Sequence, residues 1–166
     1  MALHVIVGKG PVGTATAELL AARGHRVRVL SRSGGTSTTT VEHRQVDATD
    51  AEALTEAARG AAGLYNAVNP PYTSWATDWP PVAHALLTAA ERTGAVLVTM
   101  GNLYGYGRPT GPMTPDSPLA ATDTKAASAR GCGRKCWPPT RPDAPGSPRR
   151  ARPTSWARRC PPTTRT

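Results

Sequence analysis

The chain predicts an α/β fold, a doubly wound parallel sheet with helices on both faces. Three observations point to it. Short apolar runs alternate with helix-periodic stretches through residues 1–125. A glycine-rich turn joins the first apolar run to the first helical stretch. Polar or proline-bearing loops follow the later runs, where a parallel sheet gathers its strand ends. Right-handed crossovers leave the doubly wound arrangement as the economical topology.

The first strand is expected at residues 4–7, ahead of Gly8-Lys9-Gly10-Pro11-Val12-Gly13. The spacing is G-x-G-x-x-G. Gly8 allows a tight turn, Gly10 leaves the backbone open to a pyrophosphate, and Gly13 lets helix and strand pack closely. The helix behind it offers free N–H groups and partial positive charge to phosphates. This stretch reads as a dinucleotide-binding turn, with Gly8, Gly10, Pro11, Val12 and Gly13 as its cofactor-facing residues. The helix is expected over 14–23, with Val12, Ala15, Leu19 and Ala22 on its inward face and Gly24 as its cap. Further strands are expected at 26–30, 41–47, 63–68 and 95–100. Helices are expected at 50–59, capped by Asp50, and after Pro81 up to residue 93.

In such a sheet the ligand crosses the strand C-termini. The second strand is followed by Ser31-Arg32-Ser33, and no acid occurs before Glu42. An acid there would accept from a ribose 2′-hydroxyl. Arg32, with Ser31 beside it, suits a 2′-phosphate instead, so NADP is expected over NAD. Asp47 and Ala48 follow the third strand and are placed at the adenine. Asn69, in the loop Asn66-Ala67-Val68-Asn69-Pro70-Pro71-Tyr72, is placed near the nicotinamide ribose. Tyr72, Trp75 and Trp79 crowd the same loop, either shaping a substrate pocket or covering core.

The fifth strand runs into Thr99-Met100-Gly101-Asn102-Leu103-Tyr104-Gly105-Tyr106-Gly107, and Asp116-Ser117-Pro118-Leu119 and Lys125 come later. Together with the glycine turn and Asp47-Ala48, this order resembles the NAD-dependent epimerase/dehydratase family, the extended short-chain dehydrogenase/reductases, over residues 1–125. The resemblance implies an NAD(P)-binding Rossmann fold and an oxidoreductase acting on a carbonyl or sugar-like small molecule. It also implies a Tyr-x-x-x-Lys pair, in which tyrosine moves the proton and lysine lowers its pKa and holds the nicotinamide ribose. Lys125 matches the lysine. Ala121 stands where the tyrosine would be. Thr99 is the hydroxyl nearest the usual serine position, and Tyr104 is the stand-in acid. A noncatalytic NADP-binding regulator is the alternative.

Charge divides the chain. Residues 1–125 hold 10 Lys and Arg against 10 Asp and Glu, whereas residues 126–166 hold 10 against one, so the whole net +9 lies in the second segment. That segment contains all three cysteines, 8 of the 17 prolines, and no Val, Ile, Leu, Met, Phe or Tyr. Such a composition buries too little surface to offset chain entropy, so 126–166 is expected to be a disordered Arg/Pro-rich tail outside the 1–125 domain. Electrostatic nucleic-acid binding by the tail is the lesser reading. Cys132, Cys136 and Cys160 lack paired metal-ligand spacing, and no metal site is expected.

The tail also fits out-of-frame translation of a longer member of the family. Lys135-Cys136-Trp137-Pro138, read two bases later, encodes Met or Val, then Leu, then Ala. The loss of the later strands is expected to leave an exposed sheet edge and a truncated, possibly inactive enzyme. Neither a signal-type N-terminus nor a long apolar run is present, and a cytoplasmic location is expected.

Overall fold

The structure is a computed structural model, and it describes residues 1–101, 103–108, 111–114, 117, 118, 120 and 122. Five parallel strands form one sheet in the order β3-β2-β1-β4-β5. They are β1 (Leu3–Val7), β2 (Arg26–Ser31), β3 (Val41–Gln45), β4 (Ala61–Asn66) and β5 (Val96–Thr99). Helices α1 (Pro11–Ala22), α2 (Ala51–Ala57) and α3 (Trp75–Thr93) make the crossovers. This is the doubly wound Rossmann-like arrangement, with the reversal of strand order between β1 and β4. Among the described residues β3 and β5 are its edges.

Successive side chains of a strand face opposite sides of the sheet, so each strand feeds two cores. Val5, Val7, Leu30, Leu64 and Leu97 meet Leu54 of α2 and Val82, Leu86 and Ala89 of α3 on one side. On the other, Ile6, Val27 and Val29 meet Ala17 of α1, with Leu20 and Ala21 packed against them. Arg28 ties the first side together from within: its Nε donates to Glu42 Oε2 at 2.8 Å and its Nη1 donates to the Ala57 carbonyl at 2.5 Å. Burial alone would raise the Glu42 pKa, but the hydrogen bonds from Arg28 and Arg44 outweigh it and hold the carboxyl below its ordinary value.

Four expectations need correction. The inward face of α1 is Gly13, Ala17, Leu20 and Ala21, whereas Val12 and Leu19 are 43% and 61% exposed. A Cβ on Gly13 would lie 2.0 Å from the Gly8 carbonyl oxygen, so Gly13 must face the strand, and its position sets the rotation of the whole helix. Helix α1 also starts earlier, at Pro11, the first helical position where a missing N–H costs nothing. Helix α3 begins at Trp75 and runs through Pro80 and Pro81. Both prolines are exposed, so the carbonyls they leave unpaired face water, and Trp75 anchors the first turn by donating from Nε1 to the Pro70 carbonyl at 3.0 Å. Strand β4 ends at Asn66 because its side-chain Oδ1 takes the Val68 N–H at 3.1 Å.

Two caps match their expectation. Asp50 accepts from the Ala53 N–H at 2.9 Å ahead of α2. Gly24, at φ +77°, closes α1 with the paired bonds Gly24 N–H to Ala21 and His25 N–H to Leu20. Among the described residues no helix is long and apolar enough to cross a membrane. The tail, with its three cysteines, lies outside the described residues.

Candidate functional site: the strand C-termini

A parallel sheet delivers every strand C-terminus to one edge. Here that edge carries the glycine turn after β1, the turn after β2, Asp47 after β3, the proline loop after β4 and the segment after β5.

The three glycines of the turn have different surroundings. Gly8 sits at φ +109°, and a Cβ there would come within 2.5 Å of the Ala67 carbonyl oxygen. Gly13 meets Gly8, as described above. These two are glycine because the fold requires it. Gly10 has ordinary extended backbone, φ −70° and ψ −177°, and nothing lies within 4 Å of where its Cβ would be. The described chain gives no packing reason for glycine there. What the missing side chain leaves is open space at the start of α1. Gly10 caps that helix without a side-chain hydrogen bond, Pro11 follows at the first position, and the first turn carries no acid. The helix end therefore keeps its partial positive charge for an anion. The donor set and the open approach at Gly10 fit a pyrophosphate.

Backbone bonds lock this turn to its neighbours. Gly8 N–H donates to the Leu30 carbonyl at 2.8 Å, and Ala67 N–H donates to the Val7 carbonyl at 2.8 Å. After β2, residues 31–34 form a tight turn. Gly34 N–H donates to the Ser31 carbonyl at 3.2 Å, Ser31 Oγ donates to the Gly34 carbonyl at 3.1 Å, and Gly34 is at φ +60°. Arg32 and Ser33 project exposed from it. The Asp47 Oδ1 accepts from both the N–H and the hydroxyl of Thr49 at 2.8 Å. Those two bonds, with a smaller contribution from the Arg32 charge, hold the Asp47 carboxyl below its ordinary value. Asp47 is thus ionised and lies within electrostatic reach of Arg32. Ala48 is half-buried against the α2/α3 core, and Asn69 is exposed in the proline loop.

Beyond β4 an aromatic group closes the edge. Tyr104 packs against Trp75 and Tyr72, with ring centroids 6.0 and 6.2 Å away, and Trp75 packs edge-on against Trp79 at 6.4 Å. Trp75 is buried, while Tyr72 and Tyr104 are half-exposed, so the cluster both covers core and offers an apolar face. Thr99 ends β5, exposed. Thr99, Tyr104 and the proline loop thus share one end of the edge, opposite the turn that carries Arg32. Lys125 and Ala121 lie outside the described residues. Among the described residues no group of three His, Cys, Asp or Glu is placed to hold a metal ion.

The sequence reading missed Lys9. Its Nζ donates to the Gly34 carbonyl at 2.9 Å, joining the glycine turn to the turn after β2. The signal available was a lysine between two glycines of the motif, with no acid nearby in the chain.

No protein-family model matches the chain, and no curated protein matches it. Solved structures do. The Bordetella bronchiseptica enzyme WbmG in complex with NAD and UDP is 20% identical with a TM-score of 0.67, over 80% of this chain and 48% of that one. Uronate dehydrogenase from Agrobacterium tumefaciens is 21% identical with a TM-score of 0.69, over 81% and 54%. WbmH of Bordetella bronchiseptica, in complex with NAD+, is 19% identical with a TM-score of 0.70, over 82% and 51%. The class these likenesses define is the Rossmann-like α/β fold. The chain spans about half the length of these three enzymes.

Proposed function

We propose that residues 1–125 are the cofactor-binding domain of an NAD(P)-dependent oxidoreductase of the epimerase/dehydratase kind, with NADP favoured and a carbonyl or sugar-like small molecule as substrate. The observation that carries the reading is Gly10, a glycine that neither backbone strain nor packing explains, at the mouth of an uncapped helix. The ordered resemblance along the chain supports the family, and fold-mates solved with NAD support the cofactor class. The preference for NADP rests on Arg32 and on the absence of an acid between Ser31 and Glu42.

Within this reading the glycine turn and the N-terminus of α1 hold the pyrophosphate. Asp47 and Ala48 border the adenine, and Asn69 borders the nicotinamide ribose. The cofactor, when bound, supplies hydride transfer. Thr99 orients a substrate oxygen, Tyr104 serves as the acid beside it, and Lys125 holds the ribose. The aromatic face of Tyr72 and Tyr104 suits the apolar side of a sugar ring or another flat, weakly charged group.

Calorimetric titration of NADP and NAD into the full chain and into residues 1–125 tests the reading. Both proteins are expected to bind, and Gly10→Val is expected to weaken binding by about tenfold or more without lowering the melting temperature. Unchanged affinity in Gly10→Val removes the basis of the proposal.

A second reading has its own observation. Ala121 occupies the place of the tyrosine four before Lys125. A noncatalytic NADP-binding regulator then follows, which binds cofactor yet transfers no hydride to any carbonyl offered. Cofactor oxidation measured across a panel of aldehydes, ketones and sugars separates the two.

A further inference from the structure

We propose that Lys9 is a specificity residue for the 2′-phosphate of the adenosine ribose, acting with Arg32 across the turn at residues 31–34. The proposal rests on the NADP reading above and assigns to Lys9 a role that the glycine motif does not by itself imply.

Lys9 sits between the glycine that makes the turn and the one that leaves it open. Its side chain does not extend freely into water. It reaches 25 residues along the sequence to the Gly34 carbonyl, at 2.9 Å, the same oxygen that Ser31 Oγ donates to at 3.1 Å. An ammonium, two serine hydroxyls (Ser31 and Ser33) and a guanidinium thereby meet around one tight turn. That turn is where a Rossmann-like sheet brings the adenosine ribose.

The charges are unbalanced. Among the described residues no acid pairs with Lys9 or Arg32 in an ion pair. Glu42, the first acid after the turn, is taken by Arg28 and Arg44. Asp47 is held by Thr49 and feels Arg32 only at longer range. A neutral carbonyl gives an ammonium a weaker partner than an anion would. A ribose 2′-hydroxyl would look here for an acceptor and find mostly donors. A phosphomonoester would find two cations and two hydroxyls. Arg32 offers a planar fork and Lys9 a compact charge, the two complementary ways a side chain binds phosphate. When the phosphate arrives, Lys9 exchanges its carbonyl for it, while Ser31 Oγ still holds the Gly34 oxygen and keeps the turn in shape.

The test titrates the full-length wild type, Lys9→Met, Lys9→Arg and Arg32→Ala with NADP, NAD, adenosine 2′,5′-bisphosphate and adenosine 5′-monophosphate, at one fixed low salt concentration. Lys9→Met is expected to lose about tenfold in affinity for NADP and the bisphosphate, and less than about threefold for NAD and the monophosphate. Lys9→Arg is expected to keep most of the preference. Thermal melts establish that the variants are folded. Equal losses for all four ligands would place Lys9 at the pyrophosphate or make it a structural tie, and would overturn the proposal. An NADP preference unchanged in Lys9→Met but lost in Arg32→Ala would overturn it while leaving the NADP reading intact. A wild type that prefers NAD, or that binds none of the four, would overturn both.

Discussion

The two faces of the sheet are built differently. On one, helices α2 and α3 lie side by side and bury fifteen residues in a continuous core. On the other, α1 alone covers the strands, and only Ile6, Ala17, Val27 and Val29 are fully buried. The connection from β2 to β3 contains no helix, and beneath it lies a cavity of about 190 Å³ lined by Thr14, Ala17, Glu18, Val29, Thr38, Val41 and His43. That space is smaller than the several hundred Å³ of an ordinary ligand site. The α2/α3 face supplies most of the packing. The α1 face spends its only helix on close backbone contact, Gly13 against Gly8, which shapes the phosphate turn. One face holds the sheet together and the other presents the site.

The sharpest way to break this contrast is to remove equal bulk from each face. Leu64, fully buried on the α2/α3 face, is expected to cost about 4 kcal/mol as Leu64→Ala, because a close-packed surround cannot collapse into the gap. Gly13→Ala comes next, at about 3 kcal/mol, since its Cβ would meet backbone rather than a side chain that can turn away. Ile6→Ala, fully buried on the α1 face, is expected to cost about 2.5 kcal/mol, its thinner cover giving way more easily. Urea unfolding at neutral pH measures all three. A larger cost for Ile6→Ala than for Leu64→Ala would erase the distinction between the faces.

The same contrast explains what the sequence made legible. All five strands and all three helices could be read, because a buried strand is a run of Val, Ile and Leu and needs no partner to be recognised. Their ends were less legible. Asn66 stops β4 by a side-chain bond that the apolar run Ala67-Val68 conceals. The rotation of α1 was read wrongly. Val12, Ala15, Leu19 and Ala22 make the more apolar stripe, yet a glycine contact outranks that stripe, and periodicity assigns glycine no weight. In the site, the distinction among the three glycines was legible as roles, and the surroundings of Gly10 add the physical separation. Lys9 was not legible, since its partner is a backbone carbonyl on another strand. The α1 face therefore supplies both the wrong helix rotation and the missed residue, and for one reason: it is held by backbone contacts that hydrophobic patterning does not record.

The smallest effect expected is one of pH, and it also belongs to the α1 face. His4 lies two residues before Ile6 on β1 and so points to the same side. Its ring meets His25 edge-on at 4.7 Å, and its Nδ1 is 3.2 Å from the Tyr65 hydroxyl. Burial lowers the His4 pKa below its ordinary value of 6.5, and the neighbouring His25 lowers it further. Burial raises that of Tyr65, so the phenol stays neutral and gives no counter-charge. His25 Nδ1 is buried without a hydrogen-bond partner, so this corner offers little to stabilise a second proton. The unfolded chain thus takes up a proton near pH 6.5 that the folded chain refuses until lower pH. Stability is full above that value and falls as pH drops through it towards the folded pKa. Because His4 is partly exposed, solvent screening limits the loss to under about 1 kcal/mol. Urea unfolding between pH 8 and 5 measures the slope, and His4→Gln is expected to flatten it. If His4→Gln leaves the slope unchanged, the acid sensitivity arises elsewhere. The α1 face would then contribute nothing to it.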